Sequence, residues 1–240
     1  MHRFYVPLKI FTDQVDISDV EQLHHLRDVL RLTPGDQAMV FDPSGKEYLV
    51  EIAEINKQKA TLLVKYERPL RIKKLRVGIA CAIPKMSGMD GVIDKLTQLG
   101  VDTIIPLLTE RVVVRPANRE DTRLQRWRKI ALNAAEQSQR NTLPEITPVM
   151  GFKAMLPAVE GYQVKLIPTL DGGCKPLKDI LAGLTSGSVF AAIGPEGDFT
   201  PEEIDRAISS GFTPVSLGDT TLRVETAAIA VAAYIKLALG

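Results

Sequence analysis

The spacing of apolar and polar residues changes character about a third of the way along the chain. Up to about residue 70 the apolar residues come in short segments broken by tight turns. Tyr48, Val50 and Ile52 alternate with polar neighbours across Lys46–Ile55, the period of a strand with one buried face. Asp42-Pro43-Ser44-Gly45 has aspartate, proline and glycine at the type I turn positions that favour them, and a polar turn at Asn56–Lys59 leads into a further strand, Ala60–Tyr66. The spacing also predicts one helix, opened by a capping box at Ser18-Asp19-Val20-Glu21 and running to about Leu30, with Val20, Leu23, Leu26 and Leu30 as its buried side. Short strands joined by tight turns predict a small β-barrel.

Beyond a proline-containing, basic stretch at Arg68–Leu75, which reads as a linker, the pattern becomes one of alternating strands and helices. Val77–Ala82, Thr103–Leu107, Val164–Ile167, Val189–Ile193 and Pro214–Leu217 read as strands, and Val189–Ile193 is a continuous apolar run, as expected of a strand buried on both faces of a parallel sheet. Between them Met89, Val92, Ile93, Leu96 and Leu99 mark one face of a helix closed by Gly100, and Asp121–Gln139 is a long helix with Leu124, Trp127, Ala131, Ala134 and Ala135 inward. Thr200-Pro201-Glu202-Glu203 is a capping box with proline at the first helical position, and that helix should end at Gly211. The chain therefore divides into a β-rich domain over residues 1–70 and a parallel α/β domain over residues 71–240. Two loops, Gly194-Pro195-Glu196-Gly197 and Gly218 through Glu225, follow strands of that sheet and so share its carboxyl edge, where open α/β sheets bind ligands.

Composition narrows the chemistry. The 240 residues carry a net charge of +1 and are 45% hydrophobic, an ordinary globular balance. Two cysteines, Cys81 and Cys174, cannot build a disulfide framework, the first residues lack a signal-peptide core, and the last apolar helix is too short and too interrupted to span a bilayer. A cytoplasmic protein without membrane attachment is expected. Three histidines and two distant cysteines give no metal-ligand spacing, and no dinucleotide fingerprint, phosphate loop or hydrolase elbow is present. Locally the charge is uneven: Arg111, Arg115, Arg119, Arg123, Arg126, Arg128, Lys129 and Arg140 form one basic stretch, and Arg68, Arg71, Lys73, Lys74 and Arg76 another. Such clusters suit a polyanion, or form a solvated helix face and a charged linker. His24, Arg27 and Arg31, at i, i+3 and i+7, are expected on one face of the first helix.

Ile193-Gly194-Pro195-Glu196-Gly197, Leu217-Gly218 and Leu222-Arg223-Val224-Glu225-Thr226-Ala227 together closely resemble the RsmE family, bacterial SPOUT-class methyltransferases acting on N3 of a uridine in small-subunit (16S) ribosomal RNA. The likeness extends to Lys85–Leu99, to Arg126–Ile130 with Ala134–Ser138, and to the His24–Arg31 helix, so it covers nearly the whole chain. It implies a PUA-like amino-terminal barrel, a trefoil knot in the carboxyl-terminal domain, a homodimer, and an RNA-docking surface at His24, Arg27 and Arg31. It further implies S-adenosylmethionine as cofactor, held by Thr169, Leu170, Ile193, Gly194, Pro195, Glu196, Gly197, Leu217, Gly218 and Leu222. Gly194 and Gly197 would let the backbone approach the cofactor, Gly197 with a positive φ, and Leu170, Leu217 and Leu222 would wall an adenine slot. A uridine ring nitrogen carries a proton at neutral pH, so a base or a stabilising cation is needed. Glu225 or Glu196 suits the base, and Arg223 suits the developing negative oxygen or a flanking phosphate. The alternative is that Arg223 and Glu225 form a structural contact holding the loop. Two positions depart from the family pattern: Asp198 where a further glycine is frequent, and Thr220 where an arginine is common. Thr220 leaves open an alternative role as a catalytically weak RNA-binding assembly factor of the same fold.

Overall fold

The computed structural model describes residues 1–10, 12–69, 74–84, 88–112, 120–170 and 173–239. They form two compact units, one of residues 1–72 with 135–143 and the other of residues 73–134 with 144–240.

In the first unit the strands are β1 (His2–Tyr5), β2 (Gln14–Ile17), β3 (Gln37–Phe41), β4 (Glu47–Ile55) and β5 (Ala60–Arg68). They lie in the order β1-β3-β4-β5-β2, parallel between β1 and β3 and antiparallel elsewhere, and among the described residues no pairing closes β1 onto β2. The expected alternation holds: Tyr48, Val50 and Ile52 are buried together with Phe4, Val15 and Leu62.

The one helix differs from its sequence pattern. Asp19, not Ser18, is the N-cap and accepts from the Gln22 backbone N–H, so the helix α1 (Val20–His24) starts one residue late for the predicted box and continues as a π-helical turn, His25–Val29. A π turn takes more residues per revolution and so rotates the apolar stripe. Leu23 and Leu26 are buried, while Val20, at the start of α1 and ahead of the π turn, is 77% exposed. Arg31 lies beyond the helix in the left-handed region, φ 54°, so it does not continue the face that carries His24 and Arg27.

The second unit contains β6 (Leu75–Ala82), α2 (Gly88–Gln98), β7 (Thr103–Leu108), α3 (Glu120–Gln137), whose last turn belongs to the first unit, and the two-residue strands β8 (Glu145–Ile146) and β9 (Met150–Gly151). There follow α4 (Phe152–Ala158), β10 (Val164–Pro168), the short β11 (Lys175–Pro176) and α5 (Leu177–Ile180), β12 (Gly187–Ile193), α6 (Pro201–Ser209), β13 (Phe212–Ser216) and α7 (Val224–Leu239). All pairings are parallel, in the order β11-β13-β10-β12-β6-β7-β8, with β9 also on β7. The continuous apolar runs are explained by burial on both sides. Val189, Ala191 and Ile193 enter one core with Val77, Ile79 and the α2 and α7 residues Ile93 and Val231; Phe190 and Ala192 enter the other with Phe152, Tyr162 and Phe212. Among the described residues no helix is long and apolar enough to cross a membrane.

Candidate active site

Three strands adjacent in space, β13, β10 and β12, run parallel and end at the same edge. Their following loops therefore meet, although β10 and β13 are separated in sequence by the whole of β12 and α6. They enclose a cleft of about 460 Å³ lined by Thr169 and Leu170 after β10, Ile193 at the end of β12 with Gly194 to Glu196 after it, and Leu217 to Leu222 after β13. Every residue expected to hold a cofactor lines it except Gly197. Leu170 and the half-buried Leu217 and Leu222 offer apolar walls, and Gly218, at φ 115°, supplies a backbone conformation that side chains rarely adopt.

The two glycines of the β12 loop have different surroundings, and one expectation, the positive φ of Gly197, is not met. Gly194 is needed for packing: a Cβ there would stand 3.0 Å from both Cδ2 and Cε2 of the buried Phe199 ring. Gly197 has no positive φ, and a Cβ would meet the Arg111 side chain, Cδ at 3.6 Å and Cβ at 4.0 Å, both ordinary contacts. The left-handed residue of the loop is instead Asp198, φ 61°, whose N–H donates to Pro195 O at 2.9 Å and closes the turn. Asparagine and aspartate tolerate that region better than other side chains.

Polar side chains from outside the motif hold this turn. Asp198 Oδ2 accepts from Thr169 Oγ1 at 3.0 Å and from the Leu170 N–H at 2.9 Å, and Oδ1 accepts from the Phe199 N–H at 2.8 Å, so one carboxylate joins the β10 and β12 loops. Arg111, placed by its sequence in a basic cluster, directs its guanidinium at the carbonyl oxygens of Gly197 (2.6 Å) and Phe199 (3.3 Å). The capping box of α6 forms as predicted, and the second oxygen of its Glu203 accepts from the Glu110 N–H at 3.0 Å, tying the β7 loop to the same region. No spacing rule pairs Asp198 with residues 28 and 29 positions away. The only local signal is an aspartate after a Gly-Pro-Glu-Gly turn.

Arg223 and Glu225 do not line the cleft. Among the described residues no ion pair joins them; Arg223 is exposed, and its carbonyl accepts from the Ala227 N–H at the start of α7. The half-buried Glu225 carboxylate points at the first turn of α2, where a Cβ on Gly88 would lie 3.0 Å from its Oε1. Burial, and then the charges of Glu225 and Glu196, push the enclosed Cys81 thiol well above its ordinary range, which makes it an inert core group. His24 and Arg27 both bind Asp28, at 2.7 and 2.6 Å, and together they hold its carboxyl down to about 2, Arg27 contributing most. Of the second basic cluster, Arg68 pairs with Glu47 and Arg76 stacks on Tyr162, whereas Arg71 and Lys73, like Arg115 and Arg119 of the first, lie outside the described residues. Arg126 bonds Asp90. Among the described residues no group of His, Cys, Asp or Glu could hold a metal ion.

Residues 71–236 match the RNA methyltransferase domain family and residues 17–65 the RNA methyltransferase PUA domain family. Ribosomal RNA small subunit methyltransferase E of Synechocystis is 35% identical over 86% of this chain and 67% of its own length. The chain belongs to this methyltransferase E family. Among solved members, the methyltransferase E of Neisseria gonorrhoeae bound to S-adenosyl methionine is 32% identical, with a TM-score of 0.87 over 100% of this chain and 98% of its own. The putative methyltransferase Lpg2936 of Legionella pneumophila, in complex with the cofactor, is 30% identical with a TM-score of 0.88 over 99% and 98%.

Proposed function

We propose that this methyltransferase E family member transfers a methyl group from S-adenosylmethionine to N3 of a uridine in 16S ribosomal RNA, in the cytoplasm. The observation that carries the reading is the convergence of three separate loops on one cleft, with cofactor-bound relatives of the same fold along the whole chain. Fit supports the cofactor: the cleft of about 460 Å³ falls within the roughly 300–1,000 Å³ of small-ligand sites and combines apolar walls with exposed loop backbone. Thr169, Leu170, Ile193 to Glu196, Leu217, Gly218 and Leu222 would hold it. When bound, it supplies a methyl group already activated by a sulfonium charge.

The chain's own part is to orient the uridine and manage its proton. Glu225 is assigned as the acceptor of the N3 proton, with Glu196, exposed on the cleft wall, as the other candidate; Arg223, an exposed guanidinium, is assigned to the developing negative oxygen or a flanking phosphate. That no ion pair joins Arg223 and Glu225 among the described residues favours these roles over a structural pair.

The first unit, residues 1–70 in the main, is assigned to RNA docking through His24, Arg27 and Arg31, and residues 71–240 to a knotted SPOUT domain. A homodimer is assigned to α7: Ala230, Tyr234, Leu237 and Ala238 lie at helical spacing and are exposed, an apolar stripe that a second copy would cover. Light scattering checks this, with a species of twice 26.4 kDa expected and a monomer at micromolar concentration contradicting it. The activity is tested by incubating small subunits that lack the modification with labelled cofactor and locating the product by mass spectrometry. N3-methyluridine is expected; binding to subunits without methyl incorporation would favour the assembly-factor role that Thr220 leaves open.

A further inference from the structure

The Asp198 carboxylate bonds both the β10 loop and the β12 loop, and it does so from a left-handed backbone position where glycine would be less strained. Thr169, Leu170 and Asp198 together line the cleft on one side and a second hollow of about 320 Å³, with Arg111, Phe199 and Ile204, on the other. They therefore form a wall that borders two hollows. Such a wall has no core behind it to hold its shape, so its geometry rests on its hydrogen bonds. Leu170, 61% exposed, gains no anchorage from burial. Its N–H is fixed by the carboxylate.

We infer that Asp198 is a positioning residue that latches the β10 loop to the β12 loop and so presets the cofactor cleft. This deepens the proposed function, since it rests on the cleft taking S-adenosylmethionine. A preset wall spares the ordering of the Leu170 loop at binding, and affinity rises by the cost avoided. The strain of a non-glycine residue at φ 61° is what the fold accepts in exchange.

The test compares Asp198→Gly and Asp198→Asn with the unaltered protein. Glycine relieves the strain but removes the latch; asparagine keeps an amide oxygen able to accept from Thr169 and Leu170. Calorimetry with S-adenosylmethionine should show about tenfold or greater loss of affinity in Asp198→Gly, the equivalent of one lost charge-assisted bond. Asp198→Asn should restore affinity to within about threefold of the unaltered protein, a scale set by the same net bond strengths. Glycine binding as tightly as the unaltered protein overturns the latch. Amide exchange at Leu170, followed without cofactor, separates this from the functional reading: it should quicken in Asp198→Gly, and an unchanged rate overturns the latch even if the unaltered protein fails to bind S-adenosylmethionine, an outcome that would refute the proposed cofactor instead.

Discussion

Gly194 and Gly197 share one motif, yet their surroundings predict opposite responses to the same added methyl group. In Gly194→Ala the new Cβ would lie 3.0 Å from two carbons of the Phe199 ring, closer than relaxed carbon contacts of about 3.5–4.0 Å. The ring cannot readily retreat. It is 2% exposed and packs on Phe152 at a centroid separation of 5.4 Å, and Phe152 is itself 4% exposed. Overpacking in such a setting costs about 1–3 kcal/mol. For a domain of roughly 150–250 residues each kcal/mol lowers the melting temperature by about 2–4 °C, so a fall of about 2–12 °C is expected. Because Phe199 follows Asp198 directly and Gly194 lines the cleft, cofactor affinity should fall as well. In Gly197→Ala the Cβ meets only the flexible Arg111 side chain, and φ is not in the left-handed region. Removing glycine's freedom in the unfolded chain then leaves stability unchanged or raises it by up to about 1 kcal/mol. Differential scanning fluorimetry on both variants, with and without S-adenosylmethionine, decides the matter. Equal destabilisation of the two, or a Gly194→Ala protein melting with the unaltered one, would refute the packing argument.

Arg223→Ala and Glu225→Gln should each bind cofactor nearly normally, since neither lines the cleft, while single-turnover methylation slows by about 100- to 1000-fold; near-normal turnover in both removes them from the chemistry. Replacing Arg27 and Arg31 with alanine should weaken RNA binding and flatten its salt dependence while leaving cofactor affinity intact, because phosphate contacts release counterions; an unchanged salt slope in filter binding excludes this surface. Burial raises the Glu136 carboxyl above its ordinary 4.5, against the lowering effect of the Tyr5 N–H, which it accepts at 2.9 Å. A raised carboxyl is stabilised in its neutral form, so that contribution is present below about pH 4.5 and lost as pH rises through the elevated value. Glu136→Gln should therefore melt higher than the unaltered protein at pH 7, with the difference shrinking toward pH 4; a difference independent of pH contradicts this.

Much of the second unit was legible because burial on both faces leaves a plain mark, a run such as Val189–Ile193 with no polar interruption. Parallel strands then place all their following loops at one edge, so a shared site could be expected before the strand order was known. The order itself, β13-β10-β12, is not written in any local pattern, and the strands of two residues at Glu145, Met150 and Lys175 are too short to have a period. The first helix misled for a different reason. A 3.6-residue period assumes an α-helix throughout, and the π turn at His25–Val29 shifts every later residue, which moves Arg31 off the expected face. Arg111 shows the limit of charge counting. Its place among arginines suggested a polyanion surface, whereas its guanidinium is occupied by two loop carbonyls.

The same hydrogen bonds divide the cleft into firm and loose parts. Asp198 ties the β10 loop to the β12 loop, Arg111 and Glu203 tie the β12 loop and the start of α6 to the end of β7, and Gly194 is wedged against a locked ring. Nothing comparable reaches the β13 loop: among the described residues the side-chain bond recorded for residues 217–223 is the Ser216 Oγ accepting from the Gly218 N–H, and Asp219, Thr220 and Thr221 are exposed. Segments with few buried contacts and solvent-facing amides open at the low end of the stability range. The β13 loop should therefore be the part that orders on binding, while the walls after β10 and β12 change little. Hydrogen exchange resolved by residue should show S-adenosylmethionine slowing amides 219–223 more than those of Leu170 and Asp198. The reverse ranking, with protection concentrated on the β10 loop, would mean that the latch at Asp198 does not hold the wall in advance and that the loop with the fewest ties is not the one that closes.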